Sequence, residues 1–125
     1  MLYICQLDRK IYSCISDNIV NDDVIITCER IQHIMSRHKD DFEDYKQYLG
    51  QIILEPDYII EANKPKTAVI LKEVKQCNKK FKVILRLKLN NDPYLYSNSV
   101  ISFWLIGDTT WKKLLKNKKI LYKKG

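Results

Sequence analysis

The chain has 125 residues, 46% of them hydrophobic, and 22 Lys and Arg against 15 Asp and Glu, a formal net charge of +7. That length supports one domain over residues 1–125, built on one core, and leaves no room for two. The excess of cations points to a polyanion, most commonly nucleic acid, although Lys-rich composition also serves as plain solubilising charge.

No run approaches the ~18 apolar residues that a membrane span needs, so no membrane partner is expected. Met1 to Asp8 lacks a basic region followed by a long apolar run, so no signal peptide is expected either. The four cysteines, Cys5, Cys14, Cys28 and Cys77, have neither knuckle nor redox-pair spacing. They read as free thiols in the reducing cytoplasm.

Leu2 to Leu7 and Lys10 to Ser16 read as a strand pair turned near Asp8-Arg9. Asn18 to Asp23 is a polar connection. Apolar Val24-Ile25-Ile26 leads to Thr27, a residue suited to cap a helix running from Cys28 to His38. A second helix is predicted from Asp41 to about Leu54, with Phe42, Tyr45, Leu49, Ile52 and Ile53 as its stripe, ended by Pro56. Four β-like runs follow, Tyr58 to Glu61, Thr67 to Val74, Lys80 to Leu89 and Asn98 to Ile106. A short helix, Thr109 to Lys116, and an edge strand, Lys118 to Lys123, complete the chain. Helices first and a meander afterwards give an α+β class, with N-terminal strands and helices on a four- to five-stranded antiparallel sheet.

Lys80 to Leu89 alternates with period two. Phe81, Val83, Leu85, Leu87 and Leu89 share one face, while Lys82, Arg86 and Lys88 share the other. That second face is either an ordinary half-exposed surface or a floor for phosphates. Both histidines, His33 and His38, fall in one helix, about 140° apart around its axis. They form no i, i+4 ligand pair and no HExxH pattern, so no metal site is expected. Ile31, Ile34, Met35 and His38 group on the face that should meet the sheet. Arg30, His33 and Arg37 form a neighbouring stripe, and an imidazole between two guanidinium groups suits a general base beside a phosphate. By alternation Asn98, Val100, Ser102 and Trp104 share a face. Ser102 is either a satisfied core hydroxyl or a phosphate contact, and Trp104 either core or a base-stacking platform.

Three glycines cannot build a phosphate-binding loop or a dinucleotide fingerprint, and there is no GxSxG elbow. No acidic cluster suits a magnesium pair, so no cofactor is expected. A nuclease built from these residues would work without metal, through the RNA 2′-hydroxyl.

The run Thr27-Cys28-Glu29-Arg30-Ile31-Gln32-His33-Ile34-Met35-Ser36-Arg37-His38 resembles the T-x-E-R-x-x-H-I-x-x-R-H helix of phage- and mobile-element-associated nucleases. These belong to the barnase–EndoU–colicin–RelE (BECR) superfamily. Pro56-Asp57-Tyr58-Ile59-Ile60 and Thr67 to Glu73 resemble that family's first strands, and Asn98 to Trp104 its closing N-S-I-x-[ST]-x-[WY] strand, with Ser102 where many relatives have Thr. The resemblance spans Val24 to Tyr122. It implies a helix packed on an antiparallel sheet and metal-independent cleavage of RNA, tRNA among the candidates. It also implies a role as a toxin, within its own cell or delivered into a target cell's cytoplasm, with a cognate immunity or antitoxin protein as partner. Carried over residue by residue, it places catalysis on His33, Arg37, His38, Lys72 and Ser102. Arg30, Lys82, Arg86, Lys88 and Trp104 are then the RNA-binding candidates. The competing expectations are a basic RNA- or DNA-binding module of the same fold without turnover, and a protein-interaction domain whose charge is incidental.

Overall fold

The computed structural model describes residues 1–90, 92 and 97–125. Seven strands form one sheet: β1 (Leu2–Gln6), β2 (Asp23–Ile26), β3 (Tyr58–Ile60), β4 (Thr67–Val74), β5 (Lys79–Arg86), β6 (Asn98–Ile106) and β7 (Ile120–Lys123). Their order across the sheet is β1-β2-β6-β5-β4-β3-β7. The helices are α1 (Arg9–Tyr12), α2 (Cys28–Tyr45), α3 (Leu49–Leu54), entered through a tight turn over Lys46–Tyr48, and α4 (Asp108–Asn117). The class is α+β as expected, but the sheet is larger than the predicted four or five strands. It is also mixed, because β2 runs parallel to β6 while every other pair is antiparallel.

The expected N-terminal hairpin does not form. Asp8 accepts a hydrogen bond from the Lys10 N–H at 2.9 Å, which caps the single helical turn α1. Tyr12 is then fully buried, its hydroxyl donating to the Ile53 carbonyl at 2.7 Å. The partner of β1 is β2, the run first read as a lead-in to the helix. Thr27 does cap α2, accepting from the Arg30 N–H at 3.1 Å. The first predicted helix continues past its expected end as α2, bent at His38, whose φ of −139° and ψ of 50° leave the helical region, and the second predicted helix is divided, with its start in α2, its middle in the tight turn and its end in α3.

The antiparallel strands align β4 and β5 over eight residue pairs and β5 and β6 over seven. One face of this sheet is the main core. Ala68, Ile70, Phe81, Val83, Leu85, Val100 and Phe103 meet Ile34 and Phe42 of α2 and Ile52 and Ile53 of α3 there. Phe81 stacks on Phe103 at 5.4 Å, and Tyr45 meets Phe81 edge-on at the same distance. Such pairs add roughly 0.5–1.5 kcal/mol each beyond area burial. On the opposite face α4 sets Trp111, Leu114 and Leu115 against Ile60, Val69, Leu71 and Ile84. Lys80 anchors that helix, 2.8 Å from Asp108 Oδ1 and 5.9 Å from the Trp111 ring centre. The Asp108 hydrogen bond holds the Lys80 ammonium above its ordinary value and the Asp108 carboxyl below its own. Beyond this cluster Lys82 of β5 and Ile101, Ser102 and Trp104 of β6 are only half-buried.

Candidate active site

Residues directly opposite one another in antiparallel strands point to the same side of a sheet. Lys82 lies opposite both Leu71 and Trp104, and Ile84 opposite Ser102. Lys82, Ile84, Ser102 and Trp104 therefore share the open face. Arg86 belongs with them, opposite Ser99. The pairing of β5 and β6 shifts between Ile84 and Leu85, so Ile101 is an extra residue in β6. The bulge corrects the expected alternation. Val100 points into the core opposite Leu85, whereas Ser102 and Trp104 point the other way. Ser102 is half-buried, and its hydroxyl has no hydrogen-bond partner among the described residues.

The bend of α2 delivers a histidine to this face. Strand β2 pairs with β6 only at Asn98 and Ser99, so the rest of that edge of β6 carries no strand. The second half of α2 covers it, and Asp41 Oδ2 accepts the Leu105 N–H at 3.2 Å. His38, expected on the core stripe with Ile31, Ile34 and Met35, instead passes this edge. It stacks on the Trp104 indole, ring centres 5.2 Å apart and planes within 7°. Its Nδ1 lies 3.9 Å from Asp41 Oδ2, so one side of the imidazole faces a carboxylate. The Lys82 ammonium lies 5.0 Å from the centre of the same indole. Burial, and then the nearby Lys118 charge, push the Lys82 pKa below its ordinary 10.5. Trp104 thus carries both an imidazole and a desolvated amine.

The remaining candidates divide by position. Arg30 and Arg86 line one open pocket with Lys64 and Lys66. Arg86 is held by Asp92 at 3.0 Å, while Arg30, Lys64, Lys66 and Lys82 have no ion pair among the described residues. His33 and Arg37 are exposed on α2 and line neither this pocket nor the Trp104 cluster. Lys88 lies beyond the end of β5, because the strand stops at Arg86 rather than at Leu89. Its N–H donates to Asn98 Oδ1 at 2.8 Å and its carbonyl accepts from Val20 at 3.0 Å.

Lys72 does not join the group. It lies opposite Phe81, on the core face of the sheet, and is 5% exposed. Its ammonium is 3.2 Å from Asp57 Oδ1, and the other Asp57 oxygen accepts the Glu73 N–H at 2.8 Å. Asn98, carried by the closing-strand motif, is likewise a tie. Its side chain accepts from Lys88 and donates to the carbonyls of Asn21 and Asp23. The sequence reading missed Asp41, although the i, i+3 spacing from His38 was visible. It also missed Lys64 and Lys66, which fall in a connection between strands, and Lys118, which falls at the start of the expected edge strand.

The chain matches, over residues 7–123, the family model described as phage-Barnase-EndoU-ColicinE5/D-RelE like nuclease2. No curated protein and no solved structure matches it.

Proposed function

The chain belongs to the phage-Barnase-EndoU-ColicinE5/D-RelE like nuclease 2 family and is thus a nuclease of the BECR superfamily; from this premise we propose that it is a metal-independent endoribonuclease. The observation that carries the proposal is the Trp104 cluster. It sets His38 and Lys82 on one indole, beside a serine hydroxyl, on a face where neither that hydroxyl nor Arg30, Lys64 and Lys66 have a side-chain partner among the described residues.

In this proposal His38 takes the proton of an RNA 2′-hydroxyl while Asp41 orients its ring. The 2′-oxygen attacks the adjacent phosphorus, and the 5′-oxygen leaves with a proton from Lys82. The products end in a 2′,3′-cyclic phosphate and a 5′-hydroxyl. Base and acid contribute about 10²–10⁴-fold each. Ser102 donates a hydrogen bond to a phosphoryl oxygen, and such a preorganised donor adds about 10²–10³-fold. Arg30, Arg37 and Arg86 hold flanking phosphates, a guanidinium being suited to bidentate contact. His33 and Lys88 take strand-binding places outside the reacting centre, and Lys72 takes none. The biological role in this proposal is that of a toxin, with tRNA as the first substrate to test and a cognate immunity or antitoxin protein as its partner.

The test is incubation of the purified chain with total RNA and with a defined oligonucleotide in EDTA. Cleavage with 2′,3′-cyclic phosphate ends is expected, and one 2′-deoxy nucleotide at the cut site should abolish it. Cutting of the deoxy substrate refutes the mechanism. Binding without any cutting replaces it with the non-catalytic reading.

A further inference from the structure

Two pockets lie side by side on the open face, sharing Lys64, Thr67, Ile84 and Ile101, and the first reaches the Trp104 cluster through Lys82. The first, about 270 Å³, lies between α4 and the chain that follows β3. Its floor is apolar, with Ile60, Val69, Ile84, Ile101 and Leu114. Glu61 and Asn63 stand at its rim, and Lys82 links it to Trp104. The second, about 370 Å³, is basic and holds Arg30, Lys64, Lys66 and Arg86. Lys66 is fixed there in a left-handed backbone conformation, φ 59°, by the Leu87 N–H on its carbonyl at 2.9 Å.

Flat apolar floors with polar rims suit an aromatic heterocycle read along its edge. Unpaired cations within one residue's reach suit the phosphate attached to it. Pockets for drug-sized ligands run from roughly 300 to 1,000 Å³, so the first pocket suits one base rather than two. A base still paired in a helix cannot enter it without leaving its stack.

We propose that these pockets form a subsite for one unpaired nucleotide: the base lies on Ile84 and Ile101 between Glu61 and Leu114, and its phosphate lies among Arg30, Lys64 and Lys66. The inference rests on the RNA reading above and narrows it to single-stranded RNA, loops and ends rather than duplex. Glu61 Oε1 accepts the Lys119 N–H at 3.0 Å and Asn63 Oδ1 accepts from Lys118 Nζ at 3.5 Å, which leaves the second Glu61 oxygen and the Asn63 amide nitrogen to read the edge of the base.

The experiment measures binding with fully 2′-O-methylated RNA, which lacks the attacking hydroxyl, so affinity is read without turnover. Three probes are compared: a single strand, the same strand annealed to its complement, and an abasic strand of equal length. The single strand is expected to bind about ten-fold more tightly than the other two, within the range that base stacking supplies. Ala62→Phe, which fills the first pocket, should remove that preference. Lys66→Ala should lower the slope of log affinity against log salt by about 0.7, the loss of one phosphate contact. Equal binding of all three probes overturns the proposal, and the abasic probe tests it on the unaltered protein even if a variant misfolds. Cleavage of all-ribose RNA is followed in parallel. Cleavage with no strand preference removes the subsite and leaves the nuclease reading. A strand preference with no cleavage keeps the subsite and removes the ribonuclease.

Discussion

Asp57→Ala should destabilise the protein more than loss of Lys72 itself. Lys72 is 5% exposed, and its ammonium has Asp57 at 3.2 Å. Removing the carboxylate leaves a buried charge without its counter-ion and the Glu73 N–H without its acceptor. Breaking a buried pair costs about 3–5 kcal/mol. A quarter of the Asp57 side chain is still accessible, so the low end applies, about 3 kcal/mol. In a chain of this size that lowers Tm by roughly 10–15 °C. Lys72→Met removes the charge that needed a partner and should cost no more than about 1 kcal/mol, because exchanging a buried ion for a hydrophobe is often neutral. The double variant should be more stable than Asp57→Ala alone, with a coupling of about 2 kcal/mol. Urea unfolding gives the stabilities, and RNA cleavage by the single Lys72→Met variant should stay at the wild-type level. A loss for Asp57→Ala below about 0.5 kcal/mol refutes the buried-pair argument. A hundred-fold fall in kcat/KM for Lys72→Met at unchanged Tm would place Lys72 in the chemistry after all.

His38→Phe should retain the stack on Trp104 and the melting temperature while lowering cleavage by about 10²–10⁴-fold; retained cleavage removes His38 from proton transfer. Lys118→Ala removes the second cause that depresses Lys82. Because Lys82 works protonated, its loss of function in alkali should then begin at higher pH, closer to the ordinary 10.5, and an unmoved alkaline limb in the pH profile refutes that role. Lys82→Met should weaken RNA binding yet hold or raise Tm, since a half-buried amine without a counter-ion is replaced by a side chain that needs none; a clear fall in Tm contradicts this. Burial pushes the Cys5 thiol up to about 11, leaving about a thousandth of it ionised at pH 8. Exposed Cys28 should therefore react with a disulfide reagent long before Cys5, and equal rates would show the core to be open.

The local grammar of the chain was legible where one element explains itself. The period of β5, the Thr27 cap, α4 and the edge strand β7 each follow from spacing or from a single residue type. Elements that depend on distant partners were not legible. Val24-Ile25-Ile26 is too short to declare itself a strand. It becomes one because β1 on one side and β6 on the other, some 70 residues away in sequence, supply its ladder. Lys10 to Ser16 has strand-like composition, yet the Asp8 cap and the burial of Tyr12 against α3 outweigh that propensity. The site depended on two departures from regular geometry, the non-helical His38 and the extra Ile101. Wheel and alternation arguments assume that neither exists, so they put His38 in the core and Val100 beside Ser102.

Residue types alone also could not sort the cations, because the deciding feature is where the acids go. Asp57 is paired with Lys72, Glu73 and Asp108 with Lys80, Asp22 with Arg9, and Asp92 with Arg86. Each of these pairs closes a structural join: the core face, the α4 anchor, the α1 loop and the end of β5. On the open face Lys82, Lys64, Lys66 and Arg30 receive no carboxylate among the described residues, although Lys82 is half-buried and repelled by Lys118. A surface selected for stability alone would intersperse the signs. The repulsion left standing here is what a bound phosphate would relieve under the proposed function. That links the charge count of the sequence to one face of the fold, and the same face holds His38, Ser102 and Trp104.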